Sequence, residues 1–173
     1  MAEILIREAV GAAEVEVTRG LMRAYGEYLA ANPAGAANIC LQNYDRELAG
    51  LPGQYQAPDG VLLLAWVDGV AAGCCAVRVL RKDRVPERGC EMKRLWVRSE
   101  FRGLGLGRRL AEAAIAWAAG VGYEAMYLDT VPAAMPEANS MYAALGFERV
   151  ERYNDNLIDD VVFFRRGLTG DLR

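Results

Sequence analysis

Residues 95 to 110 read Leu-Trp-Val-Arg-Ser-Glu-Phe-Arg-Gly-Leu-Gly-Leu-Gly-Arg-Arg-Leu, and they leave the chain little choice. An apolar, β-prone run passes into Gly103, Gly105 and Gly107. Leu106, Leu110, Ala113, Trp117 and Val121 then keep one helical face until Gly120 and Gly122 end the run. The stretch predicts a strand, a glycine turn and a helix in immediate succession. Glycines inside a helix cost about 1 kcal/mol each, and a mere connection needs one at most. These three stand at the helix mouth, where the first N–H groups lack internal partners and the macrodipole puts roughly +0.5 charge. Such a turn holds an anion without dedicated side chains, and glycine lets a phosphate approach the backbone closely.

Spacing separates the phosphate-binding turns from one another. A P-loop needs Gly, four residues, then Gly-Lys-Ser/Thr, and no such run occurs. A dinucleotide fingerprint needs G-x-G-x-x-G, and here the third glycine comes one residue early. Arg102-Gly103-Leu104-Gly105-Leu106-Gly107 instead has the form R-x-x-G-x-G. Before it runs Glu91-Met92-Lys93-Arg94-Leu95-Trp96-Val97. After it, Ala138-Asn139-Ser140-Met141-Tyr142-Ala143-Ala144-Leu145-Gly146-Phe147 has the form A-N-x-x-Y-x-x-x-G-F. Together these runs resemble residues of the GNAT superfamily of acetyl-CoA-dependent N-acetyltransferases, whose pyrophosphate loop is Q/R-x-x-G-x-G/A. The likeness covers residues 90 to 150. A lone glycine loop would be weak evidence, whereas motifs in the right order, a helix and a strand apart, are far more specific.

The rest of the chain fits the same plan. Ile4 to Ile6, followed by Arg7 and Glu8, predict a short first strand. From Glu14 to Ala31 the residues Leu21, Met22, Tyr25, Tyr28 and Leu29 recur at helical spacing, and Asn32-Pro33 stops that helix. Leu41, Tyr44 and Leu48 mark a second helix, ended by Gly50 and Pro52-Gly53. Val61 to Val67 and Val70 to Leu80 flank Asp68-Gly69, a dipeptide that favours the I′ turn of an antiparallel hairpin. Arg81 to Gly89 leads to a third strand, Cys90 to Val97. The strand Ala125 to Thr130 then pairs parallel with it through a right-handed crossover. Pro136 opens a helix with Ala138, Met141, Tyr142 and Leu145 at i, i+3, i+4 and i+7, and Phe147 to Arg152 and Val161 to Arg165 supply two last strands. The expected fold class is α/β, a mixed and mostly antiparallel sheet of six to seven strands with about four helices, residues 1–173 forming one domain. The GNAT resemblance implies the same fold, with the central parallel pair splayed apart.

A chain of 173 residues can bury about 70% of its extended surface in one core. The net charge of −3 argues against a general nucleic-acid binder. Residues 1–8 carry charges where a signal peptide needs an apolar core, and no apolar run reaches about 18 residues, so a cytoplasmic protein unattached to membrane is expected. Cys40, Cys74, Cys75 and Cys90 show no C-x-x-C spacing and histidine is absent, so no metal site is expected. Cys74 and Cys75 read as small buried hydrophobes in an apolar run.

The resemblance implies roles for particular residues. In the family the pantetheine arm enters the gap between the splayed strands and pairs with exposed backbone, here that of Leu95, Trp96 and Val97. Arg102, Gly103, Leu104, Gly105, Leu106, Gly107 and Arg108 would hold the pyrophosphate, and Asn139 would anchor the cofactor arm. Tyr142 occupies the place of a general-acid tyrosine that protonates the departing CoA thiolate, although its helical spacing also makes it a core residue. A protonated amine cannot attack a thioester, so a base is needed. With no histidine, Glu91 stands where many members carry a catalytic glutamate, acting directly or through water. Beside Lys93 and Arg94 it reads equally well as a salt-bridging carboxylate. Glutamate ordinarily titrates near 4.3, so a direct base would have to be raised by burial. A cysteine nucleophile is the weaker route, since only Glu91 adjoins Cys90 and it would raise the thiol.

The expected function is transfer of acetyl from acetyl-CoA to a primary amine of a small molecule or peptide, by direct attack in a ternary complex. The competing class is a non-catalytic acyl-CoA-binding sensor. If Glu91 also holds the incoming cation, acceptors should lack an adjacent carboxylate; Asp155, Asp159 and Asp160 read first as a solvated surface turn and would add to this preference only by folding over the acceptor mouth. A homodimer is common in the family.

Overall fold

The computed structural model describes residues 1–33, 41–156 and 158–170; Cys40 lies outside them. Asp68 and Gly69 both take left-handed backbone, φ +49° and +79°, as a type I′ turn requires. They join β2 (Val61–Val67) to β3 (Val70–Val79) in an antiparallel hairpin. On its outer side β2 pairs with β1 (Ile4–Glu8), and β3 pairs antiparallel with β4 (Gly89–Val97). Then follow β5 (Ala125–Thr130), parallel to β4, and the antiparallel strands β6 (Glu148–Val150) and β7 (Val162–Gly167). The seven strands form one sheet in the order β1-β2-β3-β4-β5-β7-β6.

Two features of β4 shape everything around it. Its parallel pairing with β5 covers Gly89 to Glu91 against Ala125 to Tyr127 and then stops, so the strands part from Met92 onward. Against β3 the register shifts: Lys93 faces Ala76, Trp96 faces Cys74, and both Arg94 and Leu95 fall opposite Cys75. This is a β-bulge, with Arg94 at φ +59°. Nothing in the sequence announces it, since the side chain at the bend is an arginine.

Helix α1 (Gly11–Ala31) buries Thr18, Leu21, Met22, Gly26 and Leu29, a stripe at i, i+3, i+4, i+8 and i+11. With α2 (Leu41–Ala49) it covers one face of the sheet over Leu62, Leu64, Cys74, Ala76 and Trp96. The two helices meet closely at Gly26, where a Cβ would stand 2.6 Å from the Tyr44 ring. Helix α3 (Leu106–Val121) covers the opposite face. Its fully covered stripe runs through Leu106, Leu110, Ala111, Ala114, Ile115 and Ala118, while Ala113, Trp117 and Val121 are only partly covered. The spacing of the large apolar residues points one residue away from this stripe because alanines are weak markers of burial, yet small residues are what let a helix lie close to a sheet. Helix α4 (Pro136–Ala144) precedes β6. No described helix is long and apolar enough to cross a membrane.

Candidate active site

The parting of β4 from β5 opens the sheet, and two cavities meet there. One, of about 430 Å³, is walled by Leu95, Trp96 and Val97 of β4, by Arg102, Gly103, Gly105, Leu106, Gly107 and Arg108 of the glycine turn, and by the start of α4. The other, of about 590 Å³, lies on the α1 side and is walled by Arg78, Arg84, Lys93, Arg94, Asp129 and Asn154 among others. Leu95, Met135, Ala138 and Tyr142 belong to both walls.

The glycine turn is built for an anion. Gly103 and Gly105 are left-handed, φ +84° and +71°, and a Cβ at either would meet nothing within 4 Å. Gly105 is the residue before α3 and no side chain caps the helix. The first intrahelical bond is donated by the Arg109 N–H to the Gly105 carbonyl at 3.1 Å, so the N–H groups of Leu106, Gly107 and Arg108 have no helical partner. Beside them the Arg102 guanidinium lies against a pair of touching rings, 5.2 Å from Tyr28 and 5.1 Å from Trp96. Tyr28, which its spacing marks only as an apolar position of α1, thus belongs to this wall. The Trp96 indole N–H is buried with no partner among the described residues. Leu104 is exposed and outside the wall; Asn139 is also outside it but half-buried, and its amide donates to the Met135 carbonyl at 3.2 Å, one turn back on its own helix.

Tyr142 stands where the cavities join. Its ring packs edge-on against Phe147 at 5.8 Å and near Phe164 at 6.2 Å, so the core does fix it. Its hydroxyl makes no hydrogen bond to a described residue, and burial raises its pKa well above the ordinary phenol value. The group therefore stays protonated across the neutral range.

Glu91 is fully buried. Its Oε1 accepts from Arg78 Nε at 2.8 Å and Nη2 at 2.6 Å, and its Oε2 accepts from the Tyr153 hydroxyl at 2.6 Å and from Asn154 at 3.4 Å. Burial alone would raise this carboxyl; the nearby Lys93 and Arg78 and the Tyr153 bond outweigh it and hold it below its ordinary value. The elevation that a direct base needs is not what these neighbours produce. Asp129, on β5 past Tyr127 where the pairing with β4 ends, accepts at Oδ2 from Asn154 at 2.7 Å and Asn156 at 3.2 Å and lines the larger cavity. Its only signal in sequence was the alternation of its strand. Of the acidic turn, Asp155 reaches this wall but is held by Arg84 through two bonds of 2.7 and 2.5 Å, while Asp159 and Asp160 are exposed. Burial pushes the Cys90 thiol up to about 12, and Glu91 adds to the shift.

Comparison with known proteins agrees with this geometry. The Acetyltransferase (GNAT) family model matches residues 22–147. An uncharacterized N-acetyltransferase of Schizosaccharomyces pombe is 40% identical over 129 residues, 74% of this chain and 76% of that protein. The N-acetylaspartate synthetase of Danio rerio is 31% identical over 109 residues, 63% of this chain and 37% of that longer protein. An acetyltransferase structure from Salmonella typhimurium, solved with its cofactor acetyl-CoA, has a TM-score of 0.71 at 19% identity and covers 98% of this chain and 96% of that one. With the family model spanning most of the chain and the glycine turn, splayed strands and tyrosine assembled at one junction, the protein belongs to the GNAT family of acetyltransferases.

Proposed function

We propose that this protein transfers an acetyl group from acetyl-CoA to a primary amine of a small molecule, by direct attack with both substrates bound. The observation that carries the reading is the meeting of the two cavities at Tyr142, one ending in an anion-binding helix mouth and the other in a charged pocket. Acetyl-CoA supplies an activated acyl group and a thiolate leaving group. The free N–H groups of Leu106, Gly107 and Arg108 would hold its pyrophosphate, with Arg102 beside them. The open space over Gly103 and Gly105 fits that group, and the β4 edge exposed past Glu91 offers backbone to the arm at Leu95 and Val97. Asn139 acts on the site from behind, fixing the start of α4 that carries Met135 and Ala138 into both walls.

Acetylation forms a C–N bond and breaks a C–S bond, and the acceptor nitrogen gives up two protons. Tyr142 donates one proton to the sulfur and is replenished, and the other proton leaves for solvent. Asp129 lines the acceptor cavity where an ammonium can pair with it, and we assign it the first proton, relayed through water to solvent. Glu91, expected to be that base, is read as the buried anchor of Arg78 and Tyr153, with any proton role running through water. A small molecule suits a pocket of this size, and the Danio rerio relative, named for an acetylated amino acid, supports that choice over a peptide.

Release of free thiol from acetyl-CoA across a broad panel of amines, with acetyl-CoA binding followed by calorimetry, tests the proposal. Acceptor-dependent release is expected. Binding without release on any amine would make the protein an acyl-CoA sensor.

A further inference from the structure

The acceptor cavity carries charges that acetyl transfer itself does not require, and their pairing is uneven. Glu91 commits its Oε1 to Arg78, while the Lys93 ammonium stands 3.9 Å from the same oxygen, beyond hydrogen-bond reach. That ammonium makes no hydrogen bond to any described residue. One carboxylate therefore serves two cations. The other cations on this wall are matched one to one: Arg94 bonds Glu47 at 2.8 Å, Arg84 bonds Asp155, and Arg81 bonds Asp83. The imbalance is local to Lys93 and Arg78.

The opposite imbalance sits on the neighbouring strand. Asp129 is bonded by two neutral amides, Asn154 and Asn156, which orient its carboxylate without cancelling the charge. Among the described residues no ion pair joins Asp129 to Lys93 or to any other cation. Asp129 and Lys93 share the acceptor face: Lys93 continues from Glu91 along β4, and Asp129 continues from Ala125 and Tyr127 along β5. The parting strands thus present a spare cation and a spare anion across one partly enclosed pocket.

A ligand that satisfies both carries its own ammonium and carboxylate. Resting on the transferase reading above, we infer that the acceptor is a free amino acid, its carboxylate held by Lys93 with Arg78 behind, and its ammonium held by Asp129. This reverses the preference that the sequence alone suggests, in which Glu91 selects amines without a neighbouring carboxylate. The reason is that Glu91 is spent on Arg78 and Tyr153. Binding at Asp129 places the reacting nitrogen beside the group that receives its proton, on the side of the cavity that leads to Tyr142.

The test compares free amino acids with their α-carboxamides, and with putrescine and spermidine, as acceptors for thiol release from acetyl-CoA. At least one free amino acid should exceed its own α-carboxamide in kcat/KM by tenfold or more, since loss of a charge-assisted contact in a partly enclosed site is worth about ten- to hundredfold. Lys93→Gln should raise KM for that amino acid by a similar factor, leave acetyl-CoA affinity unchanged, and erase the preference over the carboxamide; Lys93→Arg should restore part of it. Carboxamides or polyamines used as well as any free amino acid by the wild-type protein would overturn this inference while the transferase stands. Acetyl-CoA binding with no release on any amine would overturn the transferase reading and the inference with it.

Discussion

Replacement of Tyr142 by phenylalanine separates the two jobs that this residue combines. The ring is held by Phe147 and Phe164, and both contacts survive the change. The hydroxyl bonds no described residue, so its removal orphans no partner, and stability should change by less than about 1 kcal/mol. Catalysis should not be spared. A positioned general acid is worth about 10²- to 10⁴-fold, and each factor of ten is about 1.4 kcal/mol of barrier. At the low end, kcat of Tyr142→Phe falls about 100-fold, near 2.7 kcal/mol, with acetyl-CoA affinity unchanged. Because burial raises the phenol's pKa, the wild-type kcat should show no loss from Tyr142 ionisation up to about pH 10, where an exposed tyrosine would already titrate. The assay is single-turnover acetyl transfer, so that product release does not mask chemistry, together with thermal unfolding of both proteins. A kcat within twofold of wild type under those conditions would make Tyr142 a packing residue alone and would remove the junction from the mechanism.

Two further outcomes follow from the glycine turn and from Glu91. Gly107 is the cleanest test of the turn, because a Cβ there meets only the Met141 sulfur at 3.9 Å, whereas Gly103 and Gly105 need left-handed backbone and any substitution strains them. Gly107→Val should keep the fold and weaken acetyl-CoA binding at least tenfold by calorimetry; unchanged affinity would refute backbone recognition of the pyrophosphate. Glu91→Gln removes one member of a buried pair and should cost about 3 kcal/mol at pH 7, or roughly 6–12 °C in Tm for a domain of this size. Glu91's carboxyl is held down in the folded state, so its stabilisation is present above the unfolded value near 4.3 and is lost as pH falls through the folded value. Melting curves of variant and wild type should therefore converge in acid, and a gap that widens below pH 4 would contradict the ion-pair account.

The parts of this fold that could be read from the chain are those with local causes. Asp68-Gly69 demands left-handed backbone at both positions and takes it, and Gly105 and Gly122 bound α3 with left-handed φ of +71° and +93°. The acceptor chemistry had no such local cause. Glu91 meets Tyr153 and Asn154 across 62 and 63 residues and Arg78 across 13, so its neighbours, and with them the direction of its pKa, depend on strand register that no short window contains. Asp129 looked like one more position in an alternating strand. Its meaning comes from where β4 stops pairing with β5.

The bulge in β4 explains how one strand serves both cavities. In an unbroken strand Leu95 would share a face with Glu91 and Lys93, and Trp96 would share the opposite face with Cys90 and Met92. The extra residue at Arg94 exchanges them: Cys90 and Met92 lie in the core under α3, together with Leu95 and Val97, while Trp96 joins the α1 side. Before the bend the strand offers Lys93 to the acceptor pocket, with Glu91 buried on the same face behind Arg78; after it, Leu95 and Val97 line the cofactor groove. Left-handed backbone at a residue other than glycine costs about 1–3 kcal/mol. Arg94 offsets that cost through its bond to Glu47 at 2.8 Å and its stacking 4.9 Å over Tyr44, both on α2. The strain is thus held by α2, which ties the acceptor-side helices to the geometry of the cofactor side through one residue.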